Sequence, residues 1–435
     1  MIILPSLEIV PAKYNGSTLL SQIPIDGTGD FTVTRATSPT TGQSTRVNAL
    51  GLIETVADNV PRLDYPIGGG CPALLVEPAA QNFVPSGTAF NSSTGINYAN
   101  VSSSPAVGIS GTVISKTNTA AGSQYASQNC LTALPSGSTN YTISRFFKYN
   151  GTDITTSLEF NNTSQWGGIG WRQLINIDST GVTLGTSASC TGSVENYGDG
   201  WYRVIVKLTT GASPSGASPV VYLMVVSGTV ASGGSFLTAL PQLETGLVAT
   251  SYINTTAGSI TRAADVITDA TASGVIGQTQ GTIYAEVVFS NASAGAIFLL
   301  DNGSTSTFLN ISRTTGQNVQ VSLRNGGGSI ATIITSSALA NGVHKVALSY
   351  TNGAYSLYIN GLPAGTSTDS TNYPASLTSA SICSLNYGAP YFPRNDRIRA
   401  AALYPTRLTD TQLALLTSPY TSYSSMASAL SYTLG

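Results

Sequence analysis

Strand-length runs of β-branched and aromatic residues recur along this chain, and each is closed by residues that make turns. Tyr141–Lys148, Trp201–Leu208, Val220–Val226, Gly281–Phe289, Gly342–Tyr350 and Arg397–Tyr404 all have this character. Tyr355–Ile359 runs into Asn360-Gly361, the strongest short hairpin signal, because both turn positions tolerate positive φ. One segment, Leu408–Leu416, reads as a helix, with Thr409 as N-cap and Gln412 three residues on to complete a capping box. The expected class is all-β, in tandem β-sandwich modules.

At 435 residues the chain has room for roughly two to four domains. Charged residues make up only 9%, so Ser, Thr, Asn and Gly must carry solubility, while 41% hydrophobic residues suffice for a core. With net charge -2 and no basic run, nucleic acid is not an expected partner. No apolar run reaches the roughly 18 residues of a membrane span, so membrane insertion is not expected. Met1–Pro5 lacks a basic n-region and does not read as a secretory signal, which suggests assembly in a cytosol. In that compartment Cys71, Cys130, Cys190 and Cys383 are expected as free buried thiols, although Cys130 and Cys190 could meet across strands of one module. No CxxC pair suggests zinc.

Three units are expected. Residues 1–85 read as an irregular N-terminal attachment segment, in which Phe31–Arg35 alternates like a half-buried strand. Pro61, Pro66, Pro72 and Pro78 suit an extended path laid along other elements. This segment also holds much of the scarce charge: Arg35, Arg46, Glu54, Asp58, Arg62, Asp64 and Glu77. No nucleophile–base pair or metal spacing accompanies these groups, so they are expected to tie an irregular segment together. Residues 86–265 read as a jelly-roll sandwich and 266–435 as a second sandwich.

The junctions between these units carry distinctive phrases. One comprises Arg46–Glu54, Asn59–Tyr65, Gly70–Pro78 and Gln81-Asn82; the other comprises Pro241–Gly246, Ala249–Tyr252 and Thr261–Asp265. Both resemble the connecting segments of tailed-bacteriophage virion proteins that string β-sandwich modules together. Gly200–Val204 resembles a strand of carbohydrate-binding-module-like jelly rolls, and the C-terminal order of strands, Tyr-x-Asn-Gly hairpin and helix resembles laminin-G-like, concanavalin A-like sandwiches. The resemblance implies a virion protein assembled in the host bacterial cytoplasm, forming a head or tail fibre, spike or other appendage. The lack of a long repetitive shaft favours a compact spike or decoration over a long fibre. It further implies other virion proteins as partners, homo-oligomers that are often trimers, and adhesion to a host-surface glycan. A purely structural capsid or tail decoration and a secreted bacterial adhesin are the alternatives. Within the junctions, Arg46, Arg62, Asp64, Glu77, Glu244 and Arg262 are expected to be structural.

Enzymatic activity is not expected. A glycosidase needs two carboxylates roughly 5–10 Å apart, and Glu159 and Glu195 stand isolated. The lone His344 falls in a strand, where a structural role is the simpler expectation than a triad. No cofactor is expected. Calcium would need six to eight oxygens, and only Asp301 beside Asn302 and Asp396 beside Asn395 offer even a partial set. Sugar binding calls for aromatic faces with polar neighbours. Trp166 and Trp171 form one candidate; Tyr387, Tyr391, Phe392, Arg394 and Asp396, on a loop shaped by Gly and Pro, form the other.

Overall fold

The computed structural model describes residues 4–35, 37–38, 44–84, 90, 92–117, 124–130, 136–160, 163–216, 220–225, 232–255, 258–290, 294–383 and 396–419. Within them, two antiparallel β-sandwiches account for nearly all the regular structure, in agreement with the expected all-β class.

The middle sandwich closes within one continuous stretch. One six-stranded sheet runs Ser92–Thr94, Gln124–Asn129, Val220–Val225, Ile154–Phe160, Trp171–Asp178, Gly181–Ala188. The other runs Ile96–Val101, Gly111–Lys116, Ser235–Thr245, Asn140–Tyr149, Trp201–Thr209, Cys190–Asn196. Their facing side chains, among them Ile143, Phe147, Leu158, Ile175, Val204 and Phe236, make one apolar core. The second sheet is apolar on its outer face too: Phe146, Trp201, Leu237 and Ala239 pack there against Val47, Ile53 and Tyr252.

The C-terminal sandwich is assembled from both sides of this module. Its first sheet runs Leu362–Ser367, Ala354–Ile359, Gly342–Thr351, Gln280–Phe289, Asp396–Tyr404, Ala73–Val76, Leu63–Asp64, with Leu7–Ile9 also pairing Asp396–Tyr404. Its second, nine-stranded sheet begins with Tyr14–Asn15, Thr18–Leu19 and Phe31–Thr34 before continuing through Val266–Asp269, Ser379–Ile382 and four strands between Gly295 and Ala338. Residues 1–85 are therefore not a separate attachment segment. Six strands from residues 7–76 complete the sandwich that residues 266–404 begin. The reason is burial: Leu7, Ile9, Phe31, Val33, Leu74 and Val76 all enter its core. The middle sandwich is an insertion between these two contributions.

The expected local signals are in place. Asn360 and Gly361 both take positive φ, 51° and 84°, and join Ala354–Ile359 to Leu362–Ser367. Thr409 and Gln412 form the capping box of the helix Asp410–Thr417. That helix sets Leu413 and Leu416 against Tyr284, Tyr358 and Tyr404 on the outer face of the eight-stranded sheet. All four cysteines are free; Cys130 and Cys383 are buried, whereas Cys71 is exposed and Cys190 half-buried, contrary to the expectation of burial for each.

Candidate functional site

The junction between the sandwiches concentrates the scarce charge. Arg62 reaches in from the N-terminal segment and donates through Nη1 to Glu77 Oε2 at 2.6 Å, to Ser251 Oγ at 2.8 Å and to the Thr45 carbonyl at 3.1 Å. Its Nη2 pairs with Asp265. Arg262 donates to the same Glu77 oxygen at 2.6 Å, and Arg35 to Asp265 Oδ1 at 2.6 Å. These five side chains are fully buried. Backbone groups complete the set: Ser251 N donates to Glu77 Oε1 at 2.6 Å and Glu77 N to Asp265 Oδ2 at 2.8 Å. Burial alone would push the Glu77 carboxyl up, but the Arg262 and Arg62 guanidiniums and the Ser251 hydrogen bonds outweigh it and hold it well below the usual carboxylate range. Asp265 is lowered likewise, burial being outweighed by Arg62, Arg35 and Arg262.

Arg62, Glu77 and Arg262 thus meet in one cluster, which also recruits Arg35 and Asp265. Arg35 comes from the charged first segment, and Asp265 closes the second junction phrase. Asp64 lies beside the cluster, accepting from Val47 N at 2.7 Å and pairing with Arg397 of the last strand at 2.6 Å. Arg46 pairs with Glu54 across a hairpin at 2.8 Å. Glu244 is buried and accepts from Gln242 Nε2 at 2.7 Å and Thr250 N at 3.1 Å. Burial raises its carboxyl more than those bonds lower it.

Directly against this cluster lies a cleft of about 420 Å³. One wall is the outer face of the middle sandwich, where the period of two sets Arg203, Ile205 and Lys207 on one strand beside Ser193, Glu195 and Tyr197 on its neighbour. The opposite wall is Ser290, Gln317, Asn341 and Arg397 of the C-terminal sandwich. Thr45–Val47, Asp64, Glu77 and the turn Val248–Tyr252 close the remaining sides. Tyr197 packs edge-on to Phe146 at 4.8 Å, and Arg203 donates to Ser144 Oγ at 3.0 Å and the Thr250 carbonyl at 2.8 Å. Arg203 Nε is buried with no hydrogen-bond partner.

The candidate sugar contacts fare differently. Trp166 and Trp171 are buried, stacked edge-to-face at 5.1 Å on each other and packed on Phe160. They are core residues of the middle sandwich, because the 3-10 turn Thr163–Trp166 folds the loop inward, and they offer no face to a ligand. Asp396 is also buried; it opens the last strand and accepts from Ser290 N at 3.2 Å, so it is not a solvent-facing sugar partner. Tyr387, Tyr391, Phe392 and Arg394 lie outside the described residues.

Other titratable groups are locally tied. Glu159 lies 3.7 Å from Arg172. His344 stacks on Phe289 and lies 2.9 Å from the Ala340 carbonyl and 3.0 Å from Asn360 Nδ2. Asp301 accepts from Gly303 N at 2.7 Å, and burial pushes its carboxyl up to about 6. Among the described residues no group of three or more His, Cys, Asp or Glu side chains converges as a metal site.

Residues 250–414 match the model of the family described as the Concanavalin A-like lectin/glucanases superfamily, Laminin_G_3. The C-terminal unit is accordingly a concanavalin A-like, laminin-G-type sandwich, and the matched stretch omits the strands supplied from residues 7–76. Solved structures with partial similarity include the CBM40 of the Ruminococcus gnavus IT-sialidase bound to α2,3 sialyllactose, at 22% identity and a TM-score of 0.30, covering 34% of this chain and 87% of that one. Another is a heptameric SAP-like pentraxin from Limulus polyphemus, at 16% identity and a TM-score of 0.26, covering 32% and 70%. A third is domain 4 of the extracellular arabinanase AbnA from Geobacillus stearothermophilus in complex with arabinotriose, at 18% identity and a TM-score of 0.31, covering 36% and 73%. No curated protein sequence matches this chain.

Proposed function

We propose that this protein is a non-enzymatic adhesive appendage of a tailed-phage particle that attaches to host-surface glycan. The observation that carries the adhesive part is the concanavalin A-like lectin match over residues 250–414. The phage part rests on the junction phrases, whose charges lie in the buried cluster around Arg62 and Glu77. That cluster suits a particle component: it fixes one module against the next with few surface charges, leaving a polar exterior for contacts with other virion proteins and with further copies of itself. Assembly in the host bacterial cytoplasm fits four free cysteines.

Two measurements test this. Antibody–gold labelling of purified particles should decorate a head or tail position; label confined to cell surfaces or medium would replace the virion with a secreted adhesin. Fluorescent protein should coat host cells and lose the coat when surface glycans are destroyed by periodate. Particles that carry the protein while it ignores both treated and untreated cells would make it a structural decoration.

A further inference from the structure

The cleft between the sandwiches has the features of a binding site that the architecture alone does not need. Its volume of about 420 Å³ falls within the range of small-molecule sites. Its walls mix amide, hydroxyl and charged groups from both modules: Ser193, Glu195, Gln317 and Asn341 offer donors and acceptors suited to hydroxyl groups. The ring of Tyr197 supplies an apolar surface.

Charge sharpens the ligand class. Most ionised groups around the cleft are already paired: Asp64 with Arg397, Arg46 with Glu54, and Glu77 with Arg62 and Arg262. What remains is Arg203 and Lys207 against Glu195. Lys207 is half-buried and forms no ion pair among the described residues. Arg203 is buried, tied to Ser144 and the Thr250 carbonyl, and lies opposite Glu195 on the neighbouring strand, so Lys207 is the cation left for a ligand. A half-buried ammonium facing the cleft without a carboxylate partner is suited to an anionic ligand oxygen.

We propose that this cleft binds a short acidic saccharide segment, its carboxylate held by Lys207 and its hydroxyls by the amide and hydroxyl groups of the opposite wall. The inference rests on the adhesive reading and gives that adhesion a location. Because the two walls belong to different sandwiches, an occupied cleft braces one module against the other, and ligand should raise thermal stability.

The test is calorimetric titration of the full chain with a galacturonic acid disaccharide and, in parallel, with its neutral galactose counterpart. A Lys207→Gln variant is compared on the same ligands and for coating of host cells. Lys207 is half-buried on a strand and unpaired, so the substitution leaves the core intact; an unchanged melting temperature without ligand verifies this. The expected result is tighter binding of the acidic disaccharide, weakened about tenfold by Lys207→Gln and by raised salt, with the ligand-induced rise in melting temperature lost in the variant. Equal affinity for both disaccharides, no binding of either at millimolar concentration, or an acidic-ligand affinity unchanged in Lys207→Gln would overturn the cleft. If the wild type and variant coat host cells equally, the cleft is wrong while adhesion stands; if the wild type coats no cells, adhesion itself fails.

Discussion

The two sandwiches reach a similar architecture by different routes through the chain. The middle one closes within residues 92–245, whereas the C-terminal one joins strands from residues 7–76 to strands from residues 266–404. Leu7–Ile9 pairs with Ala401–Leu403, so the first and last strands of the fold are neighbours. The middle module can form from nearer contacts; the C-terminal module must close a loop spanning the whole insertion before its first sheet is complete. Burial explains why the longer route persists. The early strands carry Leu7, Ile9, Leu19, Phe31, Val33, Leu74 and Val76, all fully or almost fully buried in a core they share with Ile283, Leu348 and Leu403.

The largest test of this contrast is deletion of residues 1–80. The C-terminal sandwich should lose amide-exchange protection in its strands between Gln280 and Tyr404, whereas the middle module, which loses the cover of Val47 and Ile53 and the contacts of Arg62 and Glu77 to Ser251, should weaken but keep its exchange pattern; a truncated chain with the C-terminal strands still protected would break the comparison. Next in size, Trp166→Ala should cost about 3–5 kcal/mol by opening a cavity in the middle core. Exchange protection should fall there and hold elsewhere, and equal loosening of both sandwiches would show that they unfold as one.

Arg62→Met should have a smaller effect, about 1.5–3 kcal/mol, because Glu77 and Asp265 each lose a buried charge-assisted hydrogen bond while keeping Arg262 and Arg35. Here both modules should weaken in denaturant titrations, since Arg62 also holds Ser251 beyond the middle sandwich. Loss in one module only would mean that the cluster is not shared.

Two carboxylate environments give opposite pH responses. Glu77 and Asp265 are held below their ordinary values, so the unfolded chain binds more protons in acid. Their contribution is complete above about pH 4.5 and is lost as pH falls below it. Asp301 is raised to about 6 by burial, so the folded chain holds its proton longer and stability declines as pH rises from about 4 to about 6. Asp301→Asn should therefore add about 1–2 kcal/mol at pH 7, after allowing for partial solvation, and almost nothing at pH 4. A variant equally stabilised at both pH values would contradict this assignment.

Local chemistry was the most legible part of the sequence. The turn at Asn360-Gly361 and the cap at Thr409 depend on neighbouring residues alone, and each sits where its residues direct. The alternation in Phe31–Thr34 gave a half-buried strand, and its burial does alternate. What it could not give was the partner: Val266–Asp269, more than 230 positions away, lies beside it only because the middle module is an insertion. For the same reason Ala73–Val76, read as an irregular proline-flanked path, became a strand against Asp396–Ile398. The charged junction residues stood out against a chain with so few charges, yet their convergence needed Asp265 and Arg35 from separate strands' ends. The cleft was illegible. Arg203 and Lys207 sit in a run that reads only as a strand, and nothing local reveals that their face looks toward a second sandwich. Trp166 and Trp171 misled for a related reason, since aromatic composition does not state which side of a loop is inside.

The proposed glycan binding is tested most directly by display of the labelled full chain on an array of bacterial surface glycans. The account predicts saturable binding to a restricted set, enriched in acidic saccharides and competed by the same glycans in solution. Signal no higher than background across the array, with the protein shown to be folded by a cooperative thermal transition, would contradict it.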